Sequence, residues 1–444
     1  MSATSSAELH SLITFALKPG SLITCSGKLT SIGPRGLIAS GLSATVGLGE
    51  FVKVSGKSGE FLAEVVQLMP DEIVAKPLAQ TALVNLGDRV VAMGSPRFYP
   101  CESWKGRVIS ALGHPLDGKG PLPQGATEVH YNATPPQATD RAIISKRLVT
   151  GVKAIDIFTP LCFGQRMGIF AGSGVGKSTL MGMLARAAGF DCAVVGLVGE
   201  RGREVNEFIQ EVLGPSLSKT VVVVATGDEA ASLRKRAALL ATSIAESFRD
   251  QGQNVLLIMD SVTRYAQALR ELALAGGEPP VSRGFPPSVF STLPQLLERA
   301  GPGKQGSGTI TGIFSVLVDG DNHNEPISDA IRGTLDGHIV LDRKIAAGGR
   351  YPALDPLASL SRLIQKSLSA EDLKIAMALR SMITKFEETK DLRTFGGYQP
   401  GKDLELDRAI LSVPKIYAAL NQGPGDPACL DPIQAIQSAI GAAR

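Results

Sequence analysis

Ala171–Thr179 reads AGSGVGKST and stands between the apolar run RMGIF and the helix-forming run LMGMLARAA. A strand that passes through a glycine-rich turn straight into a helix admits few folds. The turn belongs at the carboxyl edge of a sheet whose strands are joined by helices. The glycines let successive backbone N–H groups converge on an anion with no Cβ in the way, and the helix N-terminus adds the positive end of its dipole. Strand, Gly-Lys-Ser and helix in this register make a phosphate-binding P-loop. Gly172, Ser173, Gly174, Val175, Gly176, Lys177, Ser178 and Thr179 are therefore the candidate nucleotide-binding residues. Lys177 is expected on the β- and γ-phosphates of ATP, and the Ser178 hydroxyl on Mg2+. Ala171 stands where the strict pattern has glycine, which requires a negative φ there.

Four further apolar runs, CAVVGLVG, TVVVVAT, NVLLIMD and GIFSVLVDG, alternate with helical stretches between residues 150 and 345. That is the pattern of an α/β domain with a parallel sheet. Ligands of such sheets gather at the carboxyl ends of the strands. NVLLIMD stays apolar until Asp260, an acid placed to anchor Mg2+ through its water. Alone it is equally a plain strand terminus; beside a P-loop it becomes the metal's second anchor. CAVVGLVG runs into Glu200 of VGERGRE, so the ends before the P-loop, Gly199 and Asp260 converge. There Glu200 can polarise an attacking water, while Arg201 can neutralise γ-phosphate or steady the carboxylate. The residues by themselves leave a second reading open, in which Glu200 is half of a structural pair with an arginine. Arg203 and Glu204 read as a supporting pair.

The rest of the chain divides by pattern. Residues 1–20 contain Ser5 and Glu8 at capping-box spacing, with Leu9, Leu12, Ile13 and Ala16 on one helical face. This is either a helix packed on its own protein or a detachable docking helix for a partner or membrane surface. Residues 21–93 hold six short apolar runs split by Gly, Pro and charge, as in a small barrel or sandwich. A Gly/Pro-rich connector spans Gly113–Gln137. Residues 355–444 read as helical, with Pro414 interrupting one segment and NQGPGDPACLDP as a loop.

Composition removes several function classes. The net charge of the 444 residues is only +3, which argues against a strongly nucleic-acid-binding protein. Five scattered cysteines and five scattered histidines form neither a disulfide framework nor a zinc spacing, so a reducing cytosol is expected. No apolar run approaches the roughly 18 residues of a spanning helix. The first residues lack the basic flank and apolar run of a signal peptide.

The motifs AGSGVGKST, GERGREVNEF, NVLLIMDSVTRYAQALRE, PPSVFSTLPQLLERAG and YPALDPLASLSR stand in the order found in the catalytic subunits of rotary ATPases. The resemblance spans nearly the whole chain and is strongest to the type III export ATPases, within them to the flagellar branch. DGDNHNEPISDAIRGTLDGHIVLDRKIAAGGRYPALDPLASLSR and GGYQPGKDLELDRAI are very similar to that branch. The resemblance implies an α/β chain in which a β-barrel (21–93) precedes a RecA-like ATPase domain (94–354) with a mainly parallel sheet. A C-terminal helical domain (355–444) follows. It implies that Glu200 orients the attacking water, that Arg201 lies near the γ-phosphate and that Asp260 is the Walker-B acid. Arg264 of SVTRY then matches a further site arginine, Tyr351 an aromatic that stacks on adenine, and Arg362 an arginine finger given to a neighbouring subunit. From the residues alone, Tyr351 reads as a core residue and Arg362 as half of a surface ion pair.

By the same resemblance the chain forms a homohexamer in the cytoplasm, peripheral at the inner-membrane export apparatus. Its partners are a stator-like regulator at the N-terminal helix, a central stalk-like protein against the loop DGDNHNEPISD, the export gate and chaperone–substrate complexes. The implied function is Mg-dependent ATP hydrolysis that energises flagellar protein export, with the virulence injectisome ATPase as its alternative. An F-type catalytic subunit should carry a strongly acidic helix–turn stretch where GGYQPGKDLELDRAI stands. A hexameric RNA helicase needs a basic, aromatic-rich barrel. Residues 21–93 offer Phe51 and Phe61 alone among aromatics, and their basic residues are matched by acids, so no nucleic acid is expected. A non-catalytic nucleotide-binding subunit would lack Glu200.

Overall fold

The computed structural model describes residues 24–33, 36–57, 59–78, 83–318 and 325–441. The proposed docking helix and the first part of the DGDNHNEPISD loop lie outside them. The chain forms two compact units, Met1–Pro96 and Arg97–Arg444.

The first unit is a closed antiparallel barrel. Its strands are β1 (Ser26–Gly33), β2 (Gly36–Ser40), β3 (Phe51–Gly56), β4 (Gly59–Leu68), β5 (Glu72–Pro77) and β6 (Arg89–Gly94). They run in the order β1-β2-β5-β4-β3-β6 and close through β1 on β6. Period-two alternation sends Leu37 and Ala39, Val52 and Val54, Ala63 and Val65, and Ile73 and Ala75 into one core. All six apolar runs of this region are strands.

The second unit is built on a sheet of β7 (Val108–Ser110), β10 (Arg166–Ala171), β11 (Cys192–Glu200), β12 (Thr220–Thr226), β13 (Asn254–Asp260), β15 (Thr309–Leu317), β16 (Gly337–Leu341) and β17 (Leu360–Ser361). The short strands β8 (Arg147–Leu148) and β9 (Leu161–Cys162) pair apart from it, and β14 (Gly301–Pro302) pairs with β15. The order is β17-β16-β10-β15-β13-β11-β12-β7. Pairings are parallel from β16 to β7, with β17 antiparallel on β16 and β14 antiparallel on β15.

Both faces are covered. Along β11, Ala193, Val195 and Leu197 join the core shared with helix Lys177–Ala185 and the C-terminal helices. Cys192, Val194 and Val198 face helices Ala231–Asp250 and Val262–Ala275. β7 sits on the edge beside β12, just before the Gly/Pro-rich connector. The connector is fastened by Trp104 Nε1 donating to the Pro123 carbonyl at 2.7 Å and by the Arg107 fork on Asp117 at 2.7 and 3.0 Å.

The tail is helical, as Ala370–Glu388, Leu404–Leu420 and Pro432–Gly441. The break expected at Pro414 does not occur, because Leu404–Leu420 runs through it. An interior proline costs a helix about 3 kcal/mol. Val413, Ile416 and Leu420 are buried along this helix, and that burial offsets the lost backbone hydrogen bond.

Candidate nucleotide-binding site

β10 ends at Ala171, and the chain turns through Gly174 (φ +79°) and Gly176 (φ +90°) into helix Lys177–Ala185. Ala171 is fully buried and does not need positive φ, so alanine is tolerated at the strand end. Parallel register places the neighbouring ends alongside. Ala171 lies opposite Leu317 of β15, Met259 opposite Phe314, and Asp260 opposite Leu197 of β11.

Lys177, Asp260 and Glu200 meet there. Lys177 Nζ donates to Asp260 Oδ1 at 2.6 Å and stands 3.9 Å from Glu200 Oε1. The Ser315 hydroxyl donates to the same Asp260 oxygen at 2.5 Å. Ser315 was not among the expected site residues; its signal was a lone hydroxyl inside the apolar strand GIFSVLV. Glu200 Oε1 is buried and has no hydrogen-bond partner among the described residues. Burial raises the Glu200 carboxyl to about 7, the Asp260 charge adds to the rise, and the Lys177 charge opposes it. A carboxylate with a free buried oxygen beside a phosphate-binding lysine can take a proton or hold a water.

The local backbone explains where Glu200 points. Gly199 has φ +76°, and the β11–β12 register slips between Val198 and Glu200. A Cβ on Gly199 would lie 2.8 Å from the Cβ of Arg264, so the arginine stem packs directly over this glycine. Ser261 caps helix Val262–Ala275 by accepting from Arg264 N, which fixes where that stem starts. The Arg264 guanidinium donates to Gln267 at 3.1 Å, and its buried Nε has no partner among the described residues.

Arg201 is brought to the strand end, but its side chain is 87% exposed and pairs with Glu204 at 3.8 Å. Among the described residues its ion pair is with Glu204, not with Glu200. The expected Arg203–Glu204 pair is wrong: Arg203 pairs with Glu207 at 2.9 Å. The segment is helix Gly202–Glu207, where residues three and four apart face one another and adjacent ones do not.

Tyr351 lies beside the P-loop rather than in the core. It is 43% exposed, and a Cβ on Gly176 would sit 3.6 Å from its ring. The ring borders a cavity of about 410 Å3 together with Gly176, Thr179, Asn421, Gln422 and Pro424. Its backbone is fixed by Asn421 Oδ1, which accepts from Tyr351 N at 2.8 Å, and by Gln422 N, which donates to the Tyr351 carbonyl at 2.7 Å. Asn421 and Gln422 were expected only as loop. A larger cavity of about 630 Å3 lies by Arg350, Glu387 and Tyr417, and no P-loop residue lines it.

Arg362 is not at this end of the sheet. Its backbone N donates to the Asp336 carbonyl at 2.9 Å, and Asp336 pairs with Arg166 at the start of β10. The five residue steps of β10 from Arg166 to Ala171 separate it from the P-loop by on the order of 16 Å of strand.

The candidate metal ligands are the Ser178 hydroxyl and the Asp260 carboxylate. No group of three or more His, Cys, Asp or Glu able to hold a metal occurs among the described residues. An oxygen-only set with few protein ligands suits Mg2+, which keeps several waters and takes the rest of its shell from phosphate.

Residues 151–361 match the ATP synthase alpha/beta family, nucleotide-binding domain, and residues 368–435 match the T3SS EscN ATPase C-terminal domain. The chain is 52% identical to the flagellum-specific ATP synthase of Rhizobium meliloti (strain 1021), over 99% of this chain and 94% of that protein. It superimposes on the assembled ATPase EscN of the enteropathogenic E. coli type III secretion system with a TM-score of 0.86 and 41% identity, covering 94% of this chain and all of that one. The match to EscN in complex with its central stalk EscO has a TM-score of 0.86 at 40% identity, with the same coverage. The chain therefore belongs to the flagellar and type III secretion ATPase branch of the ATP synthase alpha/beta family.

Proposed function

We propose that the chain hydrolyses Mg-bound ATP to energise protein export at the base of the flagellar secretion apparatus. The observation that carries the mechanism is the buried Glu200 oxygen, without a hydrogen-bond partner among the described residues and 3.9 Å from Lys177, beside an acid at a neighbouring strand end. The P-loop amides and Lys177 cradle the phosphates. Ser178 and Asp260 would hold Mg2+, which would supply charge neutralisation at the phosphates. Glu200 aligns the attacking water. Arg264 supports the γ-phosphate from over Gly199. Arg201 joins them only by turning its exposed side chain away from Glu204. Tyr351 stacks on adenine, for which a cavity of about 410 Å3 leaves room.

Arg362 serves a neighbouring copy. Its mount at the opposite end of β10 keeps it from its own P-loop, and a finger supplied in trans is worth about 10³–10⁵ in rate. This supports a homohexamer, as does the likeness to assembled EscN. The likeness to EscN bound to its stalk supports a central partner against the loop preceding Pro326. Residues 1–20 take the regulator-docking role, and export gate and chaperone–substrate complexes are the remaining partners. No described helix is long and apolar enough to cross a membrane, which accords with a peripheral, cytoplasmic placement. The injectisome reading rests on the 41% identity to EscN and stands second to the 52% identity with a flagellar relative.

The test is Glu200→Gln introduced into the chromosomal gene. ATP binding by the purified variant should persist, turnover should fall by about 10²-fold or more, and flagellar hook and filament proteins should stay inside the cell. Turnover near wild type would sink the mechanism. Wild-type filaments together with lost needle-complex secretion would move the chain to the injectisome.

A further inference from the structure

Arg362 sits at the end of a backbone held on every side. Ser361 is 2% exposed; its hydroxyl accepts from Gln165 Nε2 at 3.1 Å and donates to the Pro160 carbonyl at 2.8 Å. Gln165 is fully buried, and its own carbonyl accepts from Cys162 N at 2.9 Å. Ser361 and Leu360 pair with Gly337 and His338 of β16. The next residue, Arg362, is tied by its N–H to the Asp336 carbonyl at 2.9 Å. Asp336 is in turn clamped to the first residue of β10. Its N–H donates to the Arg166 carbonyl at 2.9 Å, and its carboxylate accepts from Arg166 N, Nε and Nη2 at 3.0, 3.1 and 3.1 Å. Glu298 holds the other side of the same guanidinium. The Arg362 side chain itself is exposed and makes no ion pair or side-chain hydrogen bond among the described residues.

A rigid base beneath a free charged tip is not what a surface ion pair needs. We infer that Asp336, through its fork with Arg166, is a positioning residue that sets where Arg362 reaches into the neighbouring copy's site. The inference rests on the reading of Arg362 as a finger in trans. A group that stabilises a transition state must be held to about 0.5 Å, and a misplacement of about 1 Å costs on the order of 10²-fold. Asp336→Asn keeps the size of the side chain but removes its charge and faces an NH2 toward the guanidinium. The finger then loses its fixed anchor while the P-loop, at the far end of β10, keeps its own. The expected result is a kcat lowered by about tenfold or more, with KM for ATP unchanged.

The decisive experiment uses mixed assemblies of the full-length chain. Two differently tagged copies are co-expressed and purified through both tags in succession, so every assembly measured contains both. A Glu200→Gln copy brings an intact finger but cannot turn over; an Asp336→Asn copy brings an intact site but a misplaced finger. Mixed assemblies should turn over faster than either variant alone, because Asp336→Asn sites now meet sound fingers. Arg362→Ala with Glu200→Gln is run in parallel. If that control shows no gain, the trans-finger reading fails, and the positioning role falls with it. If the control gains and Asp336→Asn does not, the finger stands and Asp336 has no part in placing it. Should Asp336→Asn lower the melting temperature of the assembly, Arg166→Lys takes its place, since lysine keeps the charge and loses the fork. A gain with it supports the inference, and no gain overturns it.

Discussion

Asp260 Oδ1 receives both the Lys177 ammonium, at 2.6 Å, and the Ser315 hydroxyl, at 2.5 Å. Lys177, proposed for phosphate, and Asp260, proposed for the metal, thus hold each other in place. Glu200 stands beside this pair without joining its hydrogen bonds, which leaves its buried oxygen available for chemistry.

The raised Glu200 carboxyl makes a pH prediction. The water-aligning form is the carboxylate, so kcat/KM should rise as pH passes through about 7, the value for the free site. The stability effect has the opposite sense. A buried acid raised from 4.5 to about 7 opposes folding when charged. That cost is fully present above pH 7 and disappears as pH falls toward 4.5. Glu200→Gln should therefore melt at a higher temperature than wild type at pH 8, with the gap closing near pH 5. A gap that does not depend on pH would contradict the assignment.

Tyr351→Ala should raise KM for ATP by roughly tenfold while changing kcat little, because stacking of a base on an aromatic ring is worth about 1–3 kcal/mol and is uniform along the reaction. Tyr351→Phe should behave as wild type. Steady-state kinetics separate the two, and a kcat loss with unchanged KM would place Tyr351 elsewhere in the mechanism.

Arg362 predicts a concentration effect. Specific ATPase activity of the wild-type chain should climb with protein concentration as copies assemble. Arg362→Ala should remain low and flat across the same range, down by about 10³-fold at the top. A flat wild-type curve from a chain shown to be monomeric by sedimentation would argue against catalysis across subunits.

Gly199→Ala should both destabilise the protein and impair turnover. The position has φ +76°, and the added methyl would meet the Arg264 stem at 2.8 Å. The left-handed backbone alone costs an alanine roughly 1–2 kcal/mol, and displacing Arg264 or Glu200 adds the kinetic loss. Denaturant midpoints and kcat measured together would show both effects, and wild-type values for both would remove Gly199 from the site.

Much of this was legible in the sequence because it is local. β10, β11, β12, β13 and β15 are mainly apolar runs, and the P-loop turn is made by its own glycines, Gly174 and Gly176, so neither depends on distant residues. What failed was set by packing or by side-chain direction. Pro414 breaks a helix by propensity, yet the buried Val413 and Ile416 keep the helix whole. β7 is too short at Val108–Ser110 for any periodicity to register. Arg201 and Arg203 found partners at helical spacing, which cannot be foreseen where a strand ends and a helix begins. Tyr351 gained Asn421 and Gln422 as neighbours from a loop some 70 residues away in sequence, and Asp336 gained Arg166 across a gap of 170. Only the tertiary packing, strand order for Asp336 and the C-terminal helices for Tyr351, brings such residues together.

The circuit β1-β2-β5-β4-β3-β6 closes through β1 on β6. A sheet with a free edge can recruit another chain by continuing its ladder of backbone hydrogen bonds; a closed one has no edge to offer. Copies meeting through this unit must therefore recognise each other by side chains and loops alone. Association at that level is tunable by single surface substitutions, reversible, and safe from runaway strand addition when many copies are crowded together.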